Sequence, residues 1–183
     1  MLRRLFRPFA AGEPPYALYT SIVEQARSPA LYEDGGVPDT LDGRFDMIVL
    51  HLILVIERLR ETGGAISPQG QAAFDLFLAD MDRSLRELGV GDISVPKKMK
   101  KIAESFYGRF AAYTRTADRT ALAAAMHRNI FAGTAEAGGA DRFADYYLRA
   151  RDARAAQPAE ALIAGRIEWP ALEVMPPAKG EPW

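Results

Sequence analysis

The segment that most constrains the fold of this chain is an apolar run over residues 47–56, broken only by His51. Asp46 and Glu57 close the run at its two ends. A helix needs roughly 20 apolar residues to cross a bilayer, and this run is about half that length. The pattern instead predicts a helix from about Arg44 to Arg60 that is apolar on nearly all sides. Such a helix is typical of the centre of a soluble bundle.

The spacing of apolar side chains predicts further helices along the chain. Proline and glycine indicate the boundaries, since proline is favoured in the first helical turn and glycine just past the last. We expect helices from Pro14 to before Pro29, from Ser67 to Gly89, from Ser94 through Tyr113, from Asp118 through Ile130, from about Asp141 to Ala156, and a short one after Pro158. Residues 33–43 are dense in turn-forming residues and predict a loop.

These elements predict an all-α fold, a single-domain compact bundle of about six helices with an irregular, proline-rich C-terminal tail. A chain of 183 residues is long enough to bury one sizeable core. We divide it into a basic N-terminal segment at 1–13, a helical domain at 14–157, and a short helix with the irregular tail at 158–183.

Side chains that could support catalysis or bind a metal are few. Cysteine is absent, which removes disulfides, thiolate metal sites and cysteine nucleophiles. Neither His51 nor His127 has the carboxylate three residues before it that helical di-iron sites use. We therefore predict no metal and no cofactor, with His51 as a hydrogen-bonded core residue. A haem protein ligated by these two histidines is an alternative.

Three aspartates surround the start of the apolar helix, namely Asp39, Asp42 and Asp46. Carboxylates at this position cap free backbone N–H groups and interact favourably with the helix dipole, so we expect a structural role. The competing interpretation is an enzyme whose site uses Asp42, Asp46 and His51. Because no nucleophile, base and orienting group occur together in a recognisable pattern, we predict no catalytic residue and a non-enzymatic protein.

Lysine is concentrated in one segment, where Lys97, Lys98, Lys100 and Lys101 are four of the five lysines of the chain. They fall in the first turns of a predicted helix, where the helix dipole disfavours cations and like charges repel one another. Stability alone would not favour this arrangement. We therefore predict a positive surface that binds phosphate, anionic lipid or an acidic protein surface, with a merely solvated face as the alternative. Sequence-specific nucleic-acid binding is not expected, since no base-reading motif is present.

Several segments, taken in order, resemble the ubiquinol–cytochrome c chaperone family. They are residues 19–27 (YTSIVEQAR), 36–48 (GVPDTLDGRFDMI), 80–82 (DMD), 85–92 (LRELGVGD), 95–103 (VPKKMKKIA) and 106–109 (FYGR). The resemblance implies a helical protein that assists the assembly of respiratory complex III by binding newly made cytochrome b. Mitochondrial relatives work with a small partner protein and associate with the ribosome. The short stretch before the first matched helix makes this chain resemble a bacterial member.

The resemblance also directs attention to a partner-binding surface. We predict that the charged half of this surface consists of Lys97, Lys98, Lys100, Lys101 and Arg109. Cytochrome b is the expected client, and the ribosome or an anionic membrane surface is a further expected partner. The alternative is an adaptor that associates with a ribosome or a membrane surface and has no cytochrome client.

A second candidate for partner binding is the loop at 37–44, which carries Asp39, Asp42 and Arg44. Its proline and glycine are equally consistent with a purely structural turn. The expected location of the protein is the cytoplasm, or the periphery of the inner membrane at its cytoplasmic face.

Overall fold

The computed structural model describes residues 14–61, 63–116, 118–131 and 138–173. The predicted basic segment 1–13 and the part of the tail beyond 173 lie outside these ranges. The helices of the described part are α1 (Pro14–Ala26), α2 (Pro29–Glu33), α3 (Leu41–Arg58), α4 (Pro68–Glu87), α5 (Val95–Thr114), α6 (Arg119–Asn129), α7 (Gly139–Ala156) and α8 (Ala159–Ile163). The predicted all-α, single-domain bundle is confirmed.

Helix α3 lies at the centre of the bundle and contacts α1, α4, α5 and α7. Every side chain from Met47 to Ile56 is buried, including His51. Complete burial of one Val, Leu or Ile side chain contributes roughly 1.5–3 kcal/mol, so this single helix supplies a large part of the driving force for folding. The predicted central, buried helix is confirmed.

The start of α3 differs from the prediction in one respect. The helix begins at Leu41, three residues before the predicted position, because Thr40 is its N-cap and accepts a hydrogen bond from the Gly43 N–H at 3.2 Å. The prediction that aspartates cap this helix is therefore wrong. Asp42 lies in the first turn, where its charge favours the helix dipole, but Asp46 is turned into the protein and is only 6% exposed.

Two other predicted N-caps are confirmed. Ser67 accepts a hydrogen bond from the Gly70 N–H at 3.1 Å at the start of α4, and Asp118 accepts one from the Ala121 N–H at 2.7 Å at the start of α6. The start of α5 is at the predicted place, but Ser94 makes no side-chain capping hydrogen bond. The short helix α2 is absent from the prediction because five residues give too little periodicity to detect.

His51 is a core histidine, as predicted, and it joins three helices. Its Nδ1 lies 2.7 Å from the Met47 carbonyl oxygen and its Nε2 lies 2.8 Å from the Tyr146 hydroxyl. A carbonyl oxygen only accepts, so Nδ1 carries the proton, Nε2 accepts from Tyr146, and that hydroxyl accepts from Gln25 at 3.1 Å. Burial lowers the pKa of His51 to about 3, so the ring is neutral at physiological pH.

Residues 164–173, the described part of the chain after α8, contain no helix or strand, as predicted, and they return to the core. Trp169 packs against His51 with ring centroids 4.9 Å apart, and Leu172 is only 9% exposed. Gln157 fixes the backbone of Glu168 by donating to its carbonyl oxygen at 3.0 Å and accepting from its N–H at 3.1 Å. We call residues 164–173 the C-terminal strap.

The entry of the chain into α3 depends on a close approach at Gly43. A Cβ atom at this position would lie 2.0 Å from the carbonyl oxygen of Pro38, a backbone atom that cannot move without opening the loop. Gly108, in the exposed part of α5, is the opposite case, since a Cβ atom there would meet no atom within 4 Å. The loop glycine is therefore explained by packing.

We predict that Gly43→Ala lowers the free energy of unfolding by about 1–3 kcal/mol because the added methyl group overpacks the loop. The matched substitution Gly108→Ala should raise stability by roughly 0.5–1 kcal/mol, since it replaces glycine with alanine inside a helix. Urea unfolding of both variants measures the difference. Equal effects at the two positions would contradict the structural account of Gly43.

Candidate partner-binding surface

Two large apolar side chains are exposed at the turn that joins α4 to α5. Leu88 is 61% exposed and Ile93 is 98% exposed. The helical spacing of α4 places Leu88 on the same side as Phe74 and Phe77; the two phenylalanines are buried, and Leu88 is exposed. The fully buried residues of α4 all lie in its first half, Leu78 and Met81 are only partly buried against the core, and residues 86–88 at its end are exposed.

The four lysines of α5 are all exposed and follow directly on this turn. The distance along the helix axis from Lys97 to Lys101 is about 6 Å. Lys100 lies 3.7 Å from Glu104, an exposed pair that contributes little to stability. We call Leu88, Ile93 and the four lysines the tip surface.

Arg86 forms ion pairs that stabilise the turn between α4 and α5. Its guanidinium contacts Asp82 one helical turn earlier at 2.7 Å, and it also pairs with Asp92 in the turn itself. Hydrogen bonding to Arg86 holds the pKa of Asp82 below its usual range. Arg86 shares its single charge between Asp82 and Asp92, so Asp92, the acid nearest to Ile93 in sequence, is partly compensated, and the four lysines are the cations of the tip surface.

Arg109 lies away from the lysines, although it shares their helix. It is about 12 Å further along the axis than Lys101. Its side chain is 17% exposed and its Nη2 lies 2.7 Å from an oxygen of Asp46, while the guanidinium stacks over Phe45 at 5.6 Å. These contacts tie α5 to α3 and give Arg109 a structural function.

Two charged side chains of the segment at 37–44 pair with each other. Arg44 donates to both carboxylate oxygens of Asp39, at 2.6 and 3.2 Å, and the two side chains are more than half exposed. Asp42 is exposed in the first turn of α3. None of the contacts described for Asp39, Asp42 and Arg44 joins them to the lysines.

The described contacts do not bring together the histidines and aspartates of the enzyme and haem alternatives. Both ring nitrogens of His51 are engaged in hydrogen bonds, and His127 is exposed on α6. Across the described ranges, no group of three or more histidine, aspartate or glutamate side chains could hold a metal ion. In the same part of the chain, no helix is both long and apolar enough to pass through a bilayer.

The fold and this surface define a compact all-α bundle whose exposed apolar tip carries a lysine cluster. Residues 33–169 match the family described as ubiquinol-cytochrome C chaperone. The chain belongs to the ubiquinol–cytochrome c chaperone family.

Relatives and a solved structure agree with this assignment. The chain is 25% identical over 115 residues to the ubiquinol-cytochrome-c reductase complex assembly factor 1 of Xenopus laevis, and 25% identical over 116 residues to that of Mus musculus. Each match covers 62% of this chain, but it spans only 58% of the frog protein and 39% of the mouse protein. The crystal structure of the Cbp3 homolog from Brucella abortus is similar, with a TM-score of 0.78 and 40% identity, over 87% of this chain and 90% of that one.

The buried pair between Asp46 and Arg109 generates a pH-dependent prediction. Burial raises the pKa of Asp46 to about 6, and the charge of Arg109 opposes this rise. Arg109→Gln leaves a buried carboxylate without its cation, so we expect a loss of about 3–5 kcal/mol of stability near pH 8. Without Arg109, the pKa of Asp46 in the folded variant lies further above the pKa of the same group in the unfolded chain. As pH rises from the lower to the higher of these two pKa values, the variant's free energy of unfolding falls.

The loss caused by Arg109→Gln should therefore be smaller near pH 5 than near pH 8. Urea unfolding of the variant and the parent protein at both pH values measures this. The double variant Arg109→Gln with Asp46→Asn, compared with Asp46→Asn alone, serves as the control, since neither protein has the Asp46 carboxyl and the loss between them should not depend on pH. An equal loss for the single variant at both pH values would show that Asp46 is not the titrating group.

Proposed function

We propose that this protein is an assembly chaperone for ubiquinol–cytochrome c reductase, respiratory complex III, and that its client is newly made cytochrome b. Family membership over residues 33–169 supports the assembly function, as do relatives named as assembly factors of that complex. Binding of the client at the tip surface is supported by one observation: Ile93 is 98% exposed and is followed closely in sequence by four exposed lysines.

The tip surface has the composition that a membrane-protein client requires. An apolar client segment outside the bilayer must be covered, and exposed apolar side chains rimmed by charge are typical of such contact sites. Leu88 and Ile93 supply the apolar contact, and the lysines pair with acidic side chains of the client. No chemical step is needed, so the protein acts as a chaperone without catalysis.

Arg109 is left out of the binding surface in this proposal because Asp46 holds it. The loop carrying Asp39, Asp42 and Arg44 stays a second candidate for partner contact, since its charges are exposed. The protein works in the cytoplasm or at the cytoplasmic face of the inner membrane, where the client is inserted.

The alternative function is that of an adaptor at the ribosome or an anionic membrane surface, without a cytochrome client. The lysines favour it, because a positive patch attracts phosphate from either source. Affinity purification of the tagged protein from its own membranes, with mass spectrometry, separates the two functions. Recovery of cytochrome b without the other subunits of the mature complex supports the proposal. Recovery of ribosomal proteins, or of nothing, contradicts it.

We predict that exchanging all four lysines, Lys97, Lys98, Lys100 and Lys101, for glutamate abolishes recovery of cytochrome b. Thermal stability should stay the same or rise slightly, since acidic residues in the first turns of a helix favour the dipole. Quantitative mass spectrometry and a thermal melt measure the two effects. The matched exchange to arginine keeps the charge and should keep binding. Unchanged recovery in the glutamate variant would remove the lysines from the binding surface.

We predict that Ile93→Ser weakens client binding at least tenfold while leaving the free energy of unfolding within roughly 0.5 kcal/mol, because the side chain is exposed in the free protein. Leu41→Ser is the control, since Leu41 is 68% exposed but is the first residue of α3, within the predicted second contact segment at 37–44. If Leu41→Ser weakens binding and Ile93→Ser does not, the loop is the contact site and the tip surface is not.

A further inference from the structure

A buried cation without a carboxylate partner lies at the C-terminal end of α7. Arg154 is 0% exposed, and no acidic side chain of the described residues pairs with it. Its Nη2 donates to the Ala150 carbonyl oxygen, but Nε and Nη1 have no hydrogen-bond partner. Buried arginine is almost always paired, because an unpaired charge loses its hydration without compensation. This arrangement therefore requires an explanation beyond the stability of the fold.

An aromatic side chain of the C-terminal strap stacks on Arg154. The ring centroid of Trp169 lies 4.2 Å from the centre of the guanidinium. Trp169 also has an unsatisfied group, since its buried Nε1–H has no hydrogen-bond partner. The stacked pair thus leaves N–H donors unused on both side chains.

A cleft of about 680 Å³ borders this pair, and Trp169 forms part of its wall. That volume is within the range of ligand-binding clefts, roughly 300–1,000 Å³. Gln157 and Gln25 also line the cleft, where the Gln157 amide bonds the backbone of Glu168 and the Gln25 amide donates to the Tyr146 hydroxyl. Arg154 does not itself line the cleft, but Trp169 contacts both the cleft and the guanidinium. A movement of the Trp169 ring would therefore let a ligand in the cleft reach Arg154.

The charges at the rim of the cleft restrict its ligand. Glu24 and Glu168 are exposed acids on the rim, and Arg166 is the exposed base. Two acids and one base disfavour a multiply charged anion such as phosphate, and they favour a basic residue. The guanidinium behind them has two nitrogens, Nε and Nη1, without a hydrogen-bond partner, and a carboxylate oxygen would accept from either one.

The strap is fastened in a way that allows Trp169 to move. Gln157 holds the backbone of Glu168, and the Arg149 Nη2 donates to the Ala171 carbonyl oxygen at 3.2 Å. These fastenings are to the backbone on either side of Trp169, whose own ring nitrogen has no hydrogen bond to break. Movement of the indole breaks its stacking on the guanidinium and its contact with His51, while these backbone fastenings of the strap stay in place.

We propose that this cleft binds a segment of a partner polypeptide in which a carboxylate side chain lies next to a basic residue, the carboxylate pairing with Arg154 as Trp169 moves aside. The basic residue lies against Glu24 and Glu168 at the rim. Binding supplies the partner that the buried cation lacks. This site is separate from the tip surface, and its test does not depend on the identity of the client.

Trp169 is the natural reporter for the test. The chain has two tryptophans, so Trp183→Phe leaves Trp169 as the only one. The probe is a synthetic peptide with one glutamate between two lysines, and its control is the same peptide with glutamine in place of glutamate. Inorganic phosphate is the third probe. Tryptophan emission is followed during each titration of the full-length protein.

We expect the glutamate peptide to change the emission of Trp169 with saturation, the glutamine peptide to bind at least tenfold more weakly, and phosphate to have no effect. Arg154→Met should remove the response and keep the melting temperature equal or higher, since it replaces an unpaired buried cation with an apolar side chain of similar length. Arg166→Gln, on the rim, should retain the response.

Three results would overturn the proposal. Equal binding of the two peptides, or no response to either, means that no carboxylate site exists. A response to phosphate means that the rim does not select its ligand as argued. A clear fall in melting temperature for Arg154→Met means that the arginine is a structural residue already satisfied in the resting protein.

Discussion

The architecture depends on the removal of one helix from water. The run from Met47 to Ile56 is apolar on all sides, and such a helix has no face that can be left in solvent. The other helices are arranged to cover it, with α1, α4, α5 and α7 in direct contact. The one polar side chain within the run, His51, is accommodated because Met47 and Tyr146 satisfy both ring nitrogens. Burial of this helix therefore determines where each neighbour packs and where the polar contacts of the core occur.

Local signals account for most of what the sequence predicts correctly. The six longer helices follow from apolar spacing, and Ser67 and Asp118 are the caps that their positions indicate. Thr40 lies within a predicted loop and was not recognised as the cap of α3. Leu88 shares the apolar side of α4 with buried residues and is nevertheless exposed, because spacing identifies the apolar side of a helix but does not show how far along the helix its neighbours extend.

Apolar spacing and capping residues do not predict contacts between residues that are distant in sequence. Arg109 was grouped with the lysines because it shares their helix, but its partner is Asp46 on α3. The stacking of Trp169 on Arg154 joins the strap to α7, and nothing in the local sequence indicates that either side chain is buried. The lysine cluster is exposed as expected, and its function stays a prediction. Pairing of charges is decided by the tertiary fold, so charged-site predictions from sequence are weaker than helix predictions.

The C-terminal strap has a consequence for synthesis of the chain. Leu172 packs near Gly35 and Phe143, so the core receives side chains from both ends of the described sequence. A ribosome releases the N-terminal helices first, and during that interval the apolar α3 lacks both α7 and the strap. The nascent protein must therefore pass through a stage with an incompletely covered central helix. The chain can complete its core only when residues near the C-terminus have left the ribosome, and until then it has the same need for shelter as an apolar client.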